Sequence, residues 1–178
     1  MNRLKEKYIK EVFPKLVSEG KINKMAVPRI TKVVINAGIG EAVKNKEILE
    51  QMKKDLSIII GQIPQVRPAK KSVVSFGLRR GLPVGLKVTL RKQRMYSFLD
   101  RLFAIVLPRL RDFRGVPLRG FDKSGNYTLG ITEHTVFPEI DLTKSQPRGL
   151  EITIVTSSPD IKKSRQLLEL LGMPFEKG

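Results

Sequence analysis

Residues 56–99 contain no aspartate and no glutamate, and this absence constrains the fold more than any other feature of the sequence. The stretch carries nine of the chain's 34 lysine and arginine residues. Because burying a charge without a partner is very costly, these side chains must lie on a surface. Such a surface repels itself unless a polyanion covers it. The formal net charge of +17 and the pI of about 10.3 indicate a nucleic acid or an anionic membrane as the partner.

The remaining bulk features narrow the class of protein. The length of 178 residues predicts a single domain over residues 1–178. There are no cysteines, which excludes disulfides, a thiolate nucleophile and a thiolate zinc site. Residues 1–13 are charged throughout and lack the apolar core of a signal peptide, and no run of residues is long and apolar enough to span a membrane. We therefore expect a soluble, intracellular protein.

Two segments alternate apolar and polar residues with the two-residue period of a half-buried strand. In residues 30–39 one face holds Thr31, Val33, Ile35, Ala37 and Ile39, and the other holds Ile30, Lys32, Val34 and Asn36. In residues 84–92 the inward face holds Val84, Leu86, Val88 and Leu90, and the outward face holds Gly85, Lys87, Thr89 and Arg91. Each strand can therefore pack one face on a core and leave the other face to a polar partner.

Four helices follow from the 3.6-residue period of apolar side chains and from stop signals. They are predicted over residues 2–19, 44–60, 93–107 and from the start signal Ser158-Pro159-Asp160 to Leu171. We expect Pro14 to kink the first helix and Pro108 to end the third, because proline cannot continue the hydrogen-bond ladder. Ser158 is the candidate N-cap of the last helix.

Further strands complete the predicted sheet. They cover residues 66–76, 126–131 and 150–156, with a turn at 122–125 and a long loop over 132–149. The order of elements predicts an α+β fold with a mostly antiparallel sheet of about five strands, helices on one face and an open basic face.

Residues 77–83 join two of these strands and are too many for a tight hairpin turn. They contain two glycines and the adjacent Arg79 and Arg80. We expect a projecting basic loop at about residues 75–84 that is poorly ordered in the free protein.

Catalysis finds little support in the sequence. Gly38-Ile39-Gly40 lacks the third glycine of a dinucleotide-binding turn, whose position Val43 occupies, and there is no P-loop motif. His134 is the only histidine and is expected to be an ordinary loop residue, and the nearby acids are too loosely spaced for a metal site. A carboxylate pair for acid–base chemistry stays open. We therefore expect that the protein is not an enzyme and that it has no catalytic residue, metal or cofactor.

Binding to folded RNA is the better-supported interpretation. Lysines and arginines on the open face suit phosphates, whereas Asn36, Gln62 and Thr89 can distinguish a base edge or a 2′-hydroxyl. Asn36 could equally be a turn amide before Gly38, and Thr89 could reflect β-propensity alone. Only 6% of residues are aromatic, which disfavours a single-strand stacking platform. A peripheral membrane protein is disfavoured because the cations alternate along strands rather than along an amphipathic helix.

Eight blocks of sequence occur in an order that resembles a known family. They are VVINAGIG, GQIPQVRPAKKSV, LPVGLKVTLRKQRMYSFLDRL, LPRLRDFRGV, GNYTLGI, FPEID, RGLEITIVTSS and LLGMPF. Together they extend over nearly the whole chain and closely resemble the fifth large-subunit ribosomal protein in its bacterial form. The resemblance implies a structural constituent of the large (50S) subunit of the cytoplasmic ribosome.

The resemblance also implies partners. Proteins of this family bind 5S rRNA and a helix of 23S rRNA in the central protuberance, near other 5S-binding ribosomal proteins. The loop that matches residues 75–84 contacts P-site tRNA, and another part of the surface bridges to a protein of the small-subunit head. No membrane partner is implied.

Residues can be assigned to these partners by combining the matching motifs with the basic pattern. The residues expected to bind rRNA are Lys32, Asn36, Gln62, Arg67, Lys70, Lys71, Lys87, Thr89, Arg91, Arg109, Arg111 and Arg114. The residues expected to bind tRNA are Ser75, Gly77, Arg79, Arg80 and Gly81. Arg67 and Arg80 depart from the family pattern, where a threonine and a glutamate or glutamine are expected. Both departures make this region more cationic.

Overall fold

The computed structural model describes residues 2–20, 23–40, 45–111, 113–141 and 145–176. Its strands are β1 (Ile30–Gly38), β2 (Gln65–Pro68), β3 (Pro83–Leu90), β4 (Tyr127–Ile131) and β5 (Leu150–Thr156). They form one open antiparallel sheet in the order β2-β3-β1-β5-β4. The α-helices are α1 (Arg3–Lys7), α2 (Phe13–Gly20), α3 (Lys46–Ile60), α4 (Lys92–Arg101) and α5 (Ile161–Leu171). The predicted α+β fold with a five-stranded antiparallel sheet is confirmed.

The chain divides into two compact units. Unit 1 comprises Met1–Val33, Leu90–Leu129 and Thr153–Gly178, and unit 2 comprises Val34–Thr89 and Gly130–Ile152. The prediction of a single domain over residues 1–178 stays a prediction.

In unit 1, two helices contain π-helical turns immediately before a proline. Tyr8–Val12 is π-helical between α1 and α2, and Leu102–Val106 is π-helical after α4. In both, the residue just before the proline donates its backbone N–H five residues back, Phe13 to Tyr8 and Leu107 to Leu102. Proline lacks an N–H and its ring clashes with the carbonyl four residues back, so a wider turn accommodates it.

The effect of the two prolines therefore differs in detail from the prediction. Pro14 does interrupt the regular helix, as expected, by way of the π-helical turn. Pro108 does not end the third helix at Leu107, because Leu107–Arg109 continues as a 3-10 turn before the chain becomes extended at Leu110.

The C-terminal part of unit 1 packs around Tyr127 at the start of β4. The Tyr127 hydroxyl donates to the Pro117 carbonyl at 2.8 Å, and its ring lies edge-on to Phe121 and Phe175. Burial, and secondarily the charge of Glu176, raises the pKa of Tyr127 to about 12, so the hydroxyl remains a donor at neutral pH. The side chain is fully buried.

Helix α5 begins two residues later than its start signal suggested. Asp160, not Ser158, is the N-cap, and its carboxylate accepts from the Lys162 backbone N–H at 2.9 Å. The Ser158 hydroxyl instead accepts from the backbone N–H of Asp160. The extended backbone of Asp160 places Pro159 outside the helix. The helix ends at Leu171, as predicted.

In unit 2, helix α3 supplies one apolar side of the core. Asn45 caps its first turn by accepting from the Glu47 N–H at 2.9 Å. Its buried apolar side chains follow the helical period and are Leu49, Met52, Leu56, Ile59 and Ile60. The strands contribute the buried residues of the predicted inward faces, Ile35, Ala37, Leu86 and Val88 among them. The predicted alternation thus holds for residues 34–37 of β1 and 86–89 of β3. It does not hold at the start of β3, where Val84, predicted inward, is half-buried and Gly85, predicted outward, is buried.

The predicted strand over residues 66–76 is wrong beyond Pro68. Strand β2 covers only Gln65–Pro68, and its register with β3 shifts between Arg67 and Pro68. Proline cannot donate to the ladder, so regular pairing ends there. Val74–Phe76 instead forms a 3-10 turn.

Strand β3 has a glycine where a neighbouring backbone comes close. A Cβ built on Gly85 would lie 2.8 Å from the carbonyl oxygen of Ala37 in β1, which is shorter than real Cβ contacts. Gly130 in β4 has nothing within 4 Å of the same position. Gly130, which lies in the edge strand β4, therefore has room for a Cβ, and Gly85 in the inner strand β3 does not.

We predict that Gly85→Ala destabilises the protein by about 1–3 kcal/mol, because the strands must move apart or strain. Gly130→Ala is the matched control and should be neutral or stabilising by up to about 1 kcal/mol. Urea unfolding measures both. Equal stability of the two variants would contradict the close approach at Gly85.

Candidate nucleic-acid interface

In unit 2, polar side chains occupy the alternate positions of three adjacent strands. Asn36 in β1 and Lys87 and Thr89 in β3 are half-buried between fully buried apolar neighbours. Lys87 pairs directly with Gln65 of β2, and Gly85 pairs with Arg67. Because directly paired residues of antiparallel strands point to the same side, Gln65 and Arg67 join Lys87 there. We call Asn36, Gln65, Arg67, Lys87 and Thr89 the polar strand face.

Glu151 of β5 lies beside this face. Its carboxylate accepts a hydrogen bond from Asn36 Nδ2 at 3.3 Å. A carboxylate can only accept, so the donor must be the amide nitrogen of Asn36. Asn36 Oδ1 therefore points away from Glu151. Neither Glu151 nor Gln65 was singled out from the sequence. The alternation of residues 150–156 was the signal that could have placed Glu151 on the polar side of its strand.

Residues 69–82 extend β2 and β3 into a hairpin beyond the register shift. The backbone N–H of Ala69 donates to Leu82, and Gly81 donates back to Ala69, both within 3.0 Å. Val73 and Leu78 exchange two hydrogen bonds of 2.8 and 3.0 Å. Gly77 closes the turn with a φ of 59°, a conformation that favours glycine. The predicted projecting loop is therefore a hydrogen-bonded hairpin, which we call the basic hairpin.

The basic hairpin exposes its charges. Lys70, Lys71, Arg79 and Arg80 are all exposed. So are the other residues expected to bind tRNA, Ser75, Gly77 and Gly81. The Arg80 backbone N–H donates to Ser72 Oγ at 3.0 Å, which ties the arginine-bearing strand to the opposite one. Exposed Val74 and Phe76 at the tip were not predicted as functional residues.

The remaining predicted residues lie elsewhere. Gln62 is half-buried and follows Gly61, the residue that ends α3. Lys32, Arg91, Arg109, Arg111 and Arg114 belong to unit 1, where Lys32 is half-buried and the four arginines are exposed. Arg91 is the N-cap residue of α4 rather than part of β3. Of the predicted residues, Asn36, Arg67, Lys87, Thr89 and those of the hairpin belong to unit 2.

A buried polar cluster in unit 2 was missed. His134 does lie in the predicted loop region, but its side chain is fully buried. Its Nε2 lies 3.3 Å from Asp55 Oδ2, and its Nδ1 lies 3.2 Å from the Arg148 backbone N–H. His134 Nδ1 also lies 3.3 Å from the Arg148 carbonyl oxygen, which can only accept. In the tautomer in which Nδ1 accepts from the Arg148 N–H, Nε2 donates to Asp55. Ser145 and Gln51 also donate to Asp55.

This cluster has the residue types of a hydrolase but not its connections. The Ser145 hydroxyl donates to Asp55 at 2.7 Å rather than to His134. A nucleophile must be hydrogen-bonded to its base for activation, and here the serine hydroxyl is hydrogen-bonded to the Asp55 carboxylate instead of the histidine. In the part of the chain that the structure describes, no group of three or more histidine, aspartate or glutamate side chains is arranged to hold a metal ion. The cluster instead connects His134 and Ser145 to Asp55 of α3.

We predict that Asp55→Ala destabilises the protein by about 2–4 kcal/mol. It leaves the buried donors of His134 and Ser145, and the amide of Gln51, without their acceptor. Glu50→Ala, on the exposed side of the same helix, is the control and should change stability by no more than about 0.5 kcal/mol. Thermal or urea unfolding that shifts equally for both variants would show that the cluster is not structural.

Comparisons with known proteins agree over almost the whole chain. Residues 23–79 match the family model described as Ribosomal protein L5, and residues 83–175 match the model of the C-terminus of the same ribosomal family. The Large ribosomal subunit protein uL5 of Caldanaerobacter subterraneus subsp. tengcongensis is 53% identical over 179 residues, covering 99% of this chain and 100% of the relative. The protein of the same name from Dehalococcoides mccartyi is 54% identical over 180 residues, covering 99% of both chains. None of the described helices is long and apolar enough to cross a bilayer.

Proposed function

We propose that this chain, which belongs to the ribosomal L5 family, binds 5S rRNA through the polar strand face. As a member of that family it is a structural, non-enzymatic component of the large ribosomal subunit. Family membership confirms the predicted absence of enzymatic activity and the predicted ribosomal location. The coarse expectation of rRNA and ribosomal-protein partners is likewise confirmed. The particular RNAs and residues are the proposal.

The observation that carries the proposal is the composition of the polar strand face. Arg67 and Lys87 supply cations, while Asn36, Gln65 and Thr89 supply neutral hydrogen-bonding groups beside them. Cations attract any phosphate backbone, whereas amides and hydroxyls read base edges and ribose hydroxyls. A face that mixes both suits one folded RNA better than nucleic acid in general.

Glu151 sharpens this proposal. Its negative charge beside Asn36 repels phosphate, so the RNA backbone should not pass directly over that amide. A base edge or a ribose, which are neutral, can approach there. Because Asn36 Nδ2 is already engaged, Asn36 Oδ1 is the atom we assign to an RNA donor.

Other partners follow from the family resemblance and the position of the cations. We assign residues 75–84 of the hairpin region to P-site tRNA and the exposed Arg109, Arg111 and Arg114 of unit 1 to rRNA. A helix of 23S rRNA in the central protuberance is a further proposed partner. Gln62, Lys70, Lys71, Lys32 and Arg91 remain proposed rRNA contacts. Neighbouring 5S-binding ribosomal proteins and a small-subunit head protein, across an intersubunit bridge, remain proposed partners from the resemblance alone.

The first test measures binding of the purified full-length protein to 5S rRNA by gel shift at several salt concentrations. We expect tight binding whose log–log salt slope grows by about 0.7–0.9 for each phosphate contacted. An unrelated RNA hairpin of similar length should bind more weakly at every salt concentration. Equal affinity for both RNAs would refute specific recognition of 5S rRNA.

Single substitutions on the polar strand face separate its two roles. Lys87→Ala should lower the salt slope by the contribution of about one phosphate contact. It should weaken binding to 5S rRNA and to the unrelated hairpin alike. Asn36→Ala and Thr89→Ala should leave the slope unchanged and cost about 1–3 kcal/mol of discrimination for 5S rRNA. Lys54→Ala, an exposed lysine of α3, is the matched charge control and should change neither quantity. If Lys54→Ala weakens binding as much as Lys87→Ala, the polar strand face is not the site.

A further inference from the structure

The tip of the basic hairpin exposes apolar side chains to an unusual degree. Val74 is 95% exposed and Phe76 is 79% exposed. Every other aromatic side chain among the described residues is buried or half-buried. Large exposed apolar groups at a projecting tip cost free energy in water and indicate a binding function.

The tip is held in a defined conformation. The two hydrogen bonds between Val73 and Leu78 close the hairpin immediately below it, and Val74–Phe76 forms a 3-10 turn between them. The Gly77 N–H returns to the Val74 carbonyl at 3.0 Å. Phe76 is therefore presented by a closed turn, so little backbone entropy is lost when a partner covers it.

Positive charge surrounds the same tip. A hollow of about 620 Å³ runs along the hairpin and is lined by Ser72, Val74, Gly77, Leu78, Arg79 and Arg80. It combines two apolar side chains with two guanidinium groups. Residues 56–99 contain no acid, and in the described part of the chain neither arginine forms an ion pair. Phe76 does not line the hollow but directly precedes Gly77, which does. A partner that covers both the tip and the hollow must therefore offer an apolar surface and negative charge.

We propose that Phe76 is a stacking platform for one base of the RNA that the basic hairpin binds. The face of that base is left uncovered by the fold of the RNA, and Arg79 and Arg80 contact the adjoining phosphates. A nucleotide supplies the required flat apolar surface and anionic group together. A lipid surface is a less suitable partner, because two exposed apolar side chains make only a small membrane anchor. The inference rests on the proposed function, namely RNA binding by the basic hairpin.

The platform changes how the low aromatic content is interpreted. A composition of 6% aromatic residues disfavours a continuous single-strand platform, which needs several stacked bases. One exposed phenylalanine on a rigid turn needs only one uncovered base. The hairpin should therefore distinguish folded RNAs by whether they present such a plane, and not by sequence.

The experiment compares full-length wild-type protein with Phe76→Ala, Phe76→Trp and Phe76→Leu. The probes are 5S rRNA and a deacylated tRNA transcript, each titrated over a range of salt concentrations. We expect Phe76→Ala to weaken tRNA binding about 5- to 150-fold, the range that one stacked base supplies, with no change in salt slope. Phe76→Trp should retain affinity, and Phe76→Leu should lose it although its side chain is apolar. Binding to 5S rRNA should stay within about twofold for all three variants.

Control variants distinguish base stacking from charge effects and from nonspecific hydrophobic binding. Met25→Ala removes a side chain that is 93% exposed outside the hairpin and should leave tRNA affinity unchanged. Arg79→Ala should lower the tRNA salt slope by about one phosphate, which Phe76→Ala should not. Flotation with phosphatidylglycerol vesicles tests the membrane alternative, and vesicle binding that depends on Phe76 while tRNA binding does not would overturn the platform.

The outcomes distinguish this inference from the proposed function. If wild-type protein binds 5S rRNA with the expected slope but Phe76→Ala binds tRNA normally, the platform is wrong and the polar strand face stands. The platform is also wrong if Phe76→Ala weakens both RNAs equally, or if Phe76→Leu binds tRNA as the wild type does. If the wild type binds neither RNA specifically, both proposals fail.

Discussion

The alternation of side chains along β1 and β3 is the constraint on which the candidate interface depends. Successive residues of a strand point to opposite sides, so burial of Ile35, Ala37, Leu86 and Val88 forces Asn36, Lys87 and Thr89 outward. A shift of one residue in register would bury a lysine and expose the core. The hydrophobic core of unit 2 and the polar strand face, which we propose to bind RNA, are thus fixed by the same periodicity. Gly85 adds a steric condition, because only a residue without a Cβ fits beside Ala37.

The basic hairpin is a separate structural device. Pro68 ends the regular ladder between β2 and β3, but hydrogen bonds at Ala69 and Val73 continue the antiparallel path to a closed tip. In our proposal, the cations of the strands and those of the hairpin contact two different RNAs. The acid-free stretch of the sequence therefore serves two surfaces, and within the hairpin charge is combined with exposed Val74 and Phe76.

Much of the fold could be predicted because periodicity and turn chemistry are local. The bounds of α3, β5 and α5 lie within two residues of the predicted ones. The errors arose where long-range or proline effects decide. The strand predicted over residues 66–76 fails because Pro68 removes the ladder donor. The burial of His134 depends on Asp55, 79 residues away in the sequence. Glu151 could be placed on a strand face from its alternation, but its bond to Asn36 depends on the pairing of β1 with β5.

The central claim, that the polar strand face and the basic hairpin bind RNA while the helix side of unit 2 does not, can be tested directly by lysine acetylation footprinting. The free protein and its complex with 5S rRNA are acetylated under identical conditions, and modification is measured at each lysine by mass spectrometry. The account predicts that Lys87 is strongly protected in the complex and that Lys46 and Lys54 of α3 react as in the free protein. Protection of Lys46 and Lys54 with unchanged reactivity of Lys87 would contradict it.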